Sequence, residues 1–302
     1  MTVQQILRSA EEELRKAGCD SPRLDAQLLL AEAMGIGRAE LLLAPEQLPS
    51  LQQRADFNRM IAERARRRPV AKILGRKEFW SLEFLVNDSV LDPRPDSETL
   101  VEATVALARA REPADGELTI CDLGTGSSCL ITAILKALPS ALGIGIDSSA
   151  AALAVARLNR ARLASEVPNL GSRLRLELAD WSRDAMPAAE IYVTNPPYVD
   201  LGQKGRLAPE LDYDPEAALY AGEGGMAAYR AIVAALTATD RHPSFWLLCE
   251  IDPLLGPRVK SLLTNAGFTM VYSRDDLSGQ VRMIGGHYSR HQQGHSSNRT
   301  LP

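Results

Sequence analysis

The chain has 302 residues, 45% hydrophobic and 24% charged, with a formal net charge of −4 and an isoelectric point near 5.7. That length gives one large or two medium domains with ample surface to bury. The acidic balance argues against broad nucleic-acid binding, and there is neither a secretory h-region nor an apolar run of about 18 residues for a bilayer.

Residues 1–75 read as all helix. Ile6, Leu7, Ala10 and Leu14 form one apolar stripe at helical spacing. Gly18 closes that segment, and Asp20-Ser21-Pro22 opens another that ends at Met34-Gly35. A third covers Arg38 to Leu43 and a fourth about Ser50 to Arg68. This small bundle is expected to dock a protein substrate, with a stabilising cap as the plain alternative. Arg64, Arg66, Arg67 and Arg68, followed by Lys72, Arg76 and Lys77, make the densest basic run. It reads as a solvated helix end, or as a contact for an acidic or RNA-bound partner.

Residues 76–92 are expected to form a hairpin linker through Phe79–Val86. After Pro93-Arg94-Pro95, Asp96 or Ser97 is expected to cap a helix through Leu100, Val101 and Val105. From Leu118 the pattern alternates strand and helix, the signature of a mostly parallel, doubly wound sheet with helices on both faces. Strands are expected at 118–123, 142–146, 174–178, 190–194, 245–250, 268–272 and 280–284. Residues 93–286 thus form an α/β domain. Residues 287–302, with His287, His291 and His295 at intervals of four, read as a disordered tail rather than a metal site.

Three strand ends converge on chemistry. Gly124-Thr125-Gly126 follows the first strand, so the backbone must pass close to a ligand. Cys129 stands where a dinucleotide fingerprint wants its third glycine, which weakens a pyrophosphate reading. Asp122 can neutralise a cationic amino group, Asp147 can accept two ribose hydroxyls, and Asp180-Trp181 can bond and cover an adenine. Each carboxylate alone could equally cap a helix. Together with the glycines they point to S-adenosylmethionine, with S-adenosylhomocysteine as product and no metal.

The fourth strand ends in Asn195-Pro196-Pro197-Tyr198. Two prolines stop the ladder and hold Asn195 on stiff backbone at the edge where ligands bind. The Asn195 side-chain carbonyl and the Pro196 C=O offer two acceptors, and Tyr198 an aromatic face, for a planar –NH2 group. Alone, the motif could be a simple loop opener. The four cysteines, Cys19, Cys121, Cys129 and Cys249, form no C-x-x-C pair and read as reduced thiols of a cytoplasmic protein.

Asp122-Leu123-Gly124-Thr125-Gly126-Ser127 with Asn195-Pro196-Pro197-Tyr198 is similar to class I, Rossmann-like methyltransferases acting on a planar amino group. Asp92–Glu98, Leu207-Ala208-Pro209-Glu210, Asp214-Pro215 and Ser21–Leu30 narrow this further. They resemble the peptide-chain release factor glutamine N5-methyltransferases (the HemK/PrmC family) over about residues 5–285. The resemblance implies methyl transfer to the glutamine of a Gly-Gly-Gln loop in release factors, by a monomer with no stable nucleic-acid partner. Asn195 and Pro196 would accept the amide hydrogens, Pro197 would stiffen the motif, and Tyr198 would hold the amide plane. The alternatives are a ribosomal-protein glutamine methyltransferase and an adenine N6 nucleic-acid methyltransferase. The sequence departs from the family at Ser128, usually glycine, and at Ile251-Asp252-Pro253. Ser128 is expected to cap the next helix with its hydroxyl.

Overall fold

Five helices open the chain: α1 (Val3–Lys16), α2 (Pro22–Met34), α3 (Arg38–Leu43), α4 (Leu51–Ala65) and α5 (Val70–Leu74). The computed structural model describes residues 1–111, 118–238 and 243–290. Capping boxes start α1 at Thr2/Gln5 and α4 at Ser50/Gln53, each satisfying two backbone donors. Val3, Ile6, Ala10 and Leu14 of α1 pack with Leu29, Leu30, Phe57 and Ile61 in one core. This helical unit takes in Met1–Lys77, together with Val86–Asp88 and Leu207–Tyr213 from later in the chain.

Much of the basic run turns inward, which corrects its reading as a solvated helix end or an external contact at Arg64, Arg67 and Lys72, while Arg66 stays exposed. Arg64, only 5% exposed, donates to Asp25 at 2.7 Å and to Glu210 at 2.9 Å. Arg67 grips the same Glu210 carboxylate through two bonds of 2.7 Å. Arg68 pairs with Asp88 and lies over the Tyr213 ring, and Lys72 donates to the Asn87 carbonyl. A buried guanidinium requires such partners, because removing it from water is costly.

Then come β1 (Arg76–Phe79) and β2 (Leu82–Leu85), paired as a two-stranded sheet. Their two-residue turn, Trp80-Ser81, has positive φ at both positions, as right-handed strand twist requires of a tight hairpin. The remaining elements are α6 (Glu98–Ala110), β3 (Thr119–Leu123), α7 (Cys129–Ala137), β4 (Leu142–Asp147), α8 (Ala150–Arg162), α9 (Leu170–Arg173), β5 (Leu174–Leu178) and β6 (Ile191–Thr194). Next are β7 (Val199–Asp200), α10 (Glu216–Leu219), β8 (Tyr220–Ala221), α11 (Gly222–Gly225), α12 (Ala227–Thr237), β9 (Ser244–Glu250), α13 (Gly256–Asn265), β10 (Phe268–Asp275) and β11 (Val281–Ser289).

Seven strands form one sheet in the order β10-β11-β9-β6-β3-β4-β5. The run from β9 to β5 is parallel, and β11 and β10 add an antiparallel edge. Alternate strand residues feed two cores. Ile120, Ile191, Val193 and Leu248 pack with α6 and α7, while Cys121, Tyr192, Leu247 and Cys249 pack with α12 and α13. The chain leaves β3 for β4 and β5 and then returns to β6 on the other side of β3. That reversal opens a crevice at the carboxyl ends of the strands. No helix among the described residues is long and apolar enough to cross a membrane.

Two local expectations are corrected here. His287 belongs to β11, opposite Trp246 and 2.9 Å from the Ser244 hydroxyl, rather than to a tail. The last strand runs to Ser289 because Phe245 stacks on Tyr288, which extends the pairing with β9. His291 and His295, with the rest of the expected tail, lie outside the described residues. Neither Asp96 nor Ser97 caps α6. A 3₁₀ turn over Pro95–Ser97 holds Ser97 at φ −67°, ψ −15°, which is not the extended backbone of a capping residue. The Asp96 carboxylate pairs with Arg282 at 3.1 Å.

Candidate active site

The paired row Ile146–Leu123–Thr194–Cys249 crosses β4, β3, β6 and β9. One residue further on, at the lip of the crevice, stand Asp147, Gly124, Asn195 and Glu250. The register of four parallel strands therefore brings four residues far apart in sequence into one line.

The glycine turn is laid over β4. Gly124 and Thr125 both donate their N–H groups to Ile146 O, at 2.9 and 2.8 Å. Gly124 has φ +77°, and a Cβ there would meet the Trp181 ring at 3.2 Å. Gly126 has φ +53°, and a Cβ there would meet nothing within 4 Å, so space is left beside the turn. Both positions ask for glycine.

Gly124, Thr125, Gly126, Asp147, Trp181, Asn195 and Pro197 all line one cavity. Pro93, Arg94 and Ser97 border it too, although composition and pattern gave them no role there. The two Asp147 oxygens accept the N–H groups of Gly126 and Ser149, at 2.9 and 2.8 Å. Each oxygen keeps a further lone pair for a ligand hydroxyl. Burial raises the Asp147 carboxyl above the ordinary carboxylate range, and those two bonds pull it back.

Asp122 is fully enclosed, with Oδ2 accepting from the Thr125 hydroxyl at 2.7 Å and Oδ1 without a partner. Burial pushes its carboxyl up to about 7, against the Thr125 bond, and the Asp147 charge adds to the rise. An orphaned buried acceptor behind a glycine turn suits a ligand's cationic end.

Other expectations shift. Asp180 does not border the cavity, and its Oδ1 takes both the N–H and the hydroxyl of Ser182. That local Asx turn engages one of the two carboxylate oxygens, and of the pair only Trp181 borders the cavity. Neither Pro196 nor Tyr198 is among the lining residues. The Tyr198 ring instead packs against the core under α12 and α13, with its hydroxyl 3.5 Å from Glu250. Ser128 occupies the left-handed region at φ +65°, and its hydroxyl makes no cap bond and has no partner. Its geometry is that of a glycine position, because the hydroxyl cannot reach the helix donors from there.

The site also contains two residues missed in sequence. Ser97 looked like a helix cap, but its Oγ accepts from Asn195 Nδ2 at 3.3 Å. Glu250 is 1% exposed and not among the lining residues, and burial lifts its carboxyl to about 7. A charged residue closing the apolar strand Phe-Trp-Leu-Leu-Cys was the available signal.

Residues 5–75 match the PrmC N-terminal domain. The chain is 40% identical over 286 residues to a release factor glutamine methyltransferase of Cereibacter sphaeroides, covering 94% of this chain and 98% of that one. Proteins of the same name from Caulobacter vibrioides and Vibrio cholerae are each 35% identical, over 94% and 95% of this chain and 96% and 97% of theirs. Among solved structures, the hMettl16 catalytic domain in complex with the MAT2A 3′UTR hairpin 6 superposes with a TM-score of 0.53, covering 80% of this chain and 84% of that one. At 16% identity, that likeness speaks for the methyltransferase fold alone. On the sequence identities and their coverage, the chain belongs to the release factor glutamine methyltransferase family.

Proposed function

We propose that this protein methylates the side-chain amide nitrogen (N5) of the glutamine in the Gly-Gly-Gln motif of peptide-chain release factors. The observation that carries the reading is that Asn195 and the Gly124–Gly126 turn leave paired strand ends and border one cavity. S-adenosylmethionine, when bound, supplies the methyl group and leaves as S-adenosylhomocysteine. Gly124, Thr125, Gly126 and Trp181 would wall it, Asp147 would accept its ribose hydroxyls, and Asp122, enclosed behind the glycine turn, would favour a cationic end on the far side of that turn.

An amide nitrogen is a weak nucleophile because its lone pair is delocalised, a resonance that gives a rotation barrier of about 18–20 kcal/mol. Asn195 Oδ1 and the Pro196 carbonyl accept its two hydrogens and aim it at the methyl group. The nitrogen gains a carbon and passes one proton to solvent water. Positive charge builds on it along the way, so both acceptors bind the transition state better than the substrate. Positioning of this kind is worth about 7–11 kcal/mol when the geometry is tight.

Arg64 and Arg67 are spent on internal carboxylates, which removes part of the basic surface a nucleic-acid substrate would use. Four free cysteines suit the reducing cytoplasm, where translation terminates. Incubation with isotopically labelled donor and an intact release factor, followed by peptide mapping, tests the reading. Label on the Gly-Gly-Gln glutamine supports it, and label elsewhere or none overturns it.

A further inference from the structure

After Tyr198 the chain pairs β7 with β8, setting Val199 opposite Tyr220 and Asp200 opposite Ala221. α11 follows β8 at once, and its backbone is left-handed at Glu223, Gly224 and Gly225, with φ of +58°, +63° and +84°. This strap folds back onto the Asn195–Tyr198 motif. Gly225 is buried, and a Cβ on it would stand 2.3 Å from the Tyr198 carbonyl oxygen and 2.9 Å from Leu255 Cδ1. The first distance is about 1 Å inside van der Waals contact, and the atom it meets is backbone.

The strap is tied down along its length. The β7–β8 pairing fixes its start. Arg258, exposed on α13, donates to the Gly224 and Glu223 carbonyls at 2.9 and 3.0 Å. Just beyond it, the Tyr229 hydroxyl on α12 donates to the Glu250 carbonyl at 2.8 Å and anchors the exit to the end of β9. A side chain at Gly225 therefore has to displace Tyr198 rather than the strap.

We propose that Gly225 is a positioning residue for methyl transfer: its bare Cα is the stop on which the Tyr198 carbonyl rests, and it thereby sets where the Asn195 and Pro196 acceptors stand. The inference rests on those two acceptors receiving the glutamine amide. Pro196 and Pro197 each lock φ, so the motif moves as one stiff piece. Thr194 is held in the sheet by its pairing with Leu123 and Cys249, so a push at Tyr198 tilts the motif about that end. Close packing passes such a shift on rather than absorbing it. A misplacement of about 1 Å can cost about a hundredfold in rate. The glycine turn and Asp147 are braced against each other and against β4, so they do not share the tilt.

The test compares Gly225→Ala and Gly279→Ala with the wild type on the full chain. Gly279 has the same kind of backbone, φ +78°, but a Cβ there meets nothing within 4 Å, so that variant reports strain alone. Methyl transfer to a Gly-Gly-Gln peptide is followed at saturating donor, donor affinity by calorimetry, and the Asn195 side-chain NH2 resonances in donor-free, 15N-labelled protein. Gly225→Ala should lose at least about tenfold in kcat while donor Kd stays within about threefold, and the Asn195 resonances should move. Gly279→Ala should keep the wild-type kcat and resonances. Adding Leu255→Ala to Gly225→Ala removes the other close contact and should not restore the rate. Wild-type kcat in Gly225→Ala, equal losses in both glycine variants, donor affinity falling with kcat, or rescue by Leu255→Ala overturns the proposal. If Gly225→Ala does not fold, Arg258→Ala decides, because it slackens the strap from the surface. It should move the Asn195 resonances and lower kcat about threefold or more at unchanged donor affinity, and wild-type behaviour overturns the proposal. If the wild type methylates no peptide, the functional reading fails instead, and the resonances still show whether the strap holds the motif.

Discussion

Asp147 accepts the Gly126 N–H at 2.9 Å, so the residue read as a ribose acceptor is also a strut of the glycine turn. Its other oxygen holds Ser149 N at 2.8 Å, where α8 begins. Asp147→Ala should therefore do two things. Donor affinity should fall by about 1.5–3 kcal/mol through lost hydrogen bonds, and the fold should lose about 1 kcal/mol. Titration calorimetry and urea unfolding separate the two. Unchanged affinity with lowered stability would leave Asp147 a strut only.

Ser128 carries a strained backbone at φ +65° and an unpartnered buried hydroxyl, both of which glycine removes. Left-handed backbone costs a non-glycine residue about 1–2 kcal/mol, partly offset by the greater freedom of glycine in the unfolded chain. Ser128→Gly should raise stability by about 1 kcal/mol and change donor affinity by less than that, read from urea midpoints and calorimetry. The cap reading of the sequence implies the opposite sign for stability, so the midpoint decides between them.

Glu210 holds one buried and one half-buried guanidinium group, and Glu210→Ala should destabilise the helical unit by about 3 kcal/mol because Arg64 and Arg67 lose a shared partner. Burial raises the Glu210 carboxyl, but the bonds from Arg67 and Arg64 outweigh it and hold it below its ordinary value. A carboxyl lowered in the fold adds stability above its unfolded pKa of about 4.3 and loses it as pH falls through the folded value. Urea unfolding of wild type and variant should accordingly differ most at neutral pH, with the difference shrinking as pH falls through the lowered folded value of Glu210.

The sheet was legible because most of its strands are short, largely apolar runs that end in a turn or a carboxylate. Asp147, the glycine turn and Asn195 were found for the same reason: they are strand ends, and strand ends line up. What sequence could not reveal was partnership over distance. Arg64 and Glu210 stand 146 residues apart, so a buried ion cluster looked like a solvated charge run. Ser97 resembled a cap because serine before a helix usually is one, and only its 3₁₀ backbone and the register of Asn195 show otherwise. Ser128 was misjudged because no local pattern announces a left-handed φ at a helix start.

The most direct test of the account is Asn195→Ala, which removes the substrate acceptor while leaving the glycine turn and Asp147 in place. Methyl transfer to the release factor at saturating donor should fall at least about a hundredfold, the scale of losing a preorganised acceptor, while donor affinity stays within about threefold. Transfer and donor affinity falling together, or transfer unchanged, would contradict the assignment of Asn195 as the group that receives the glutamine amide.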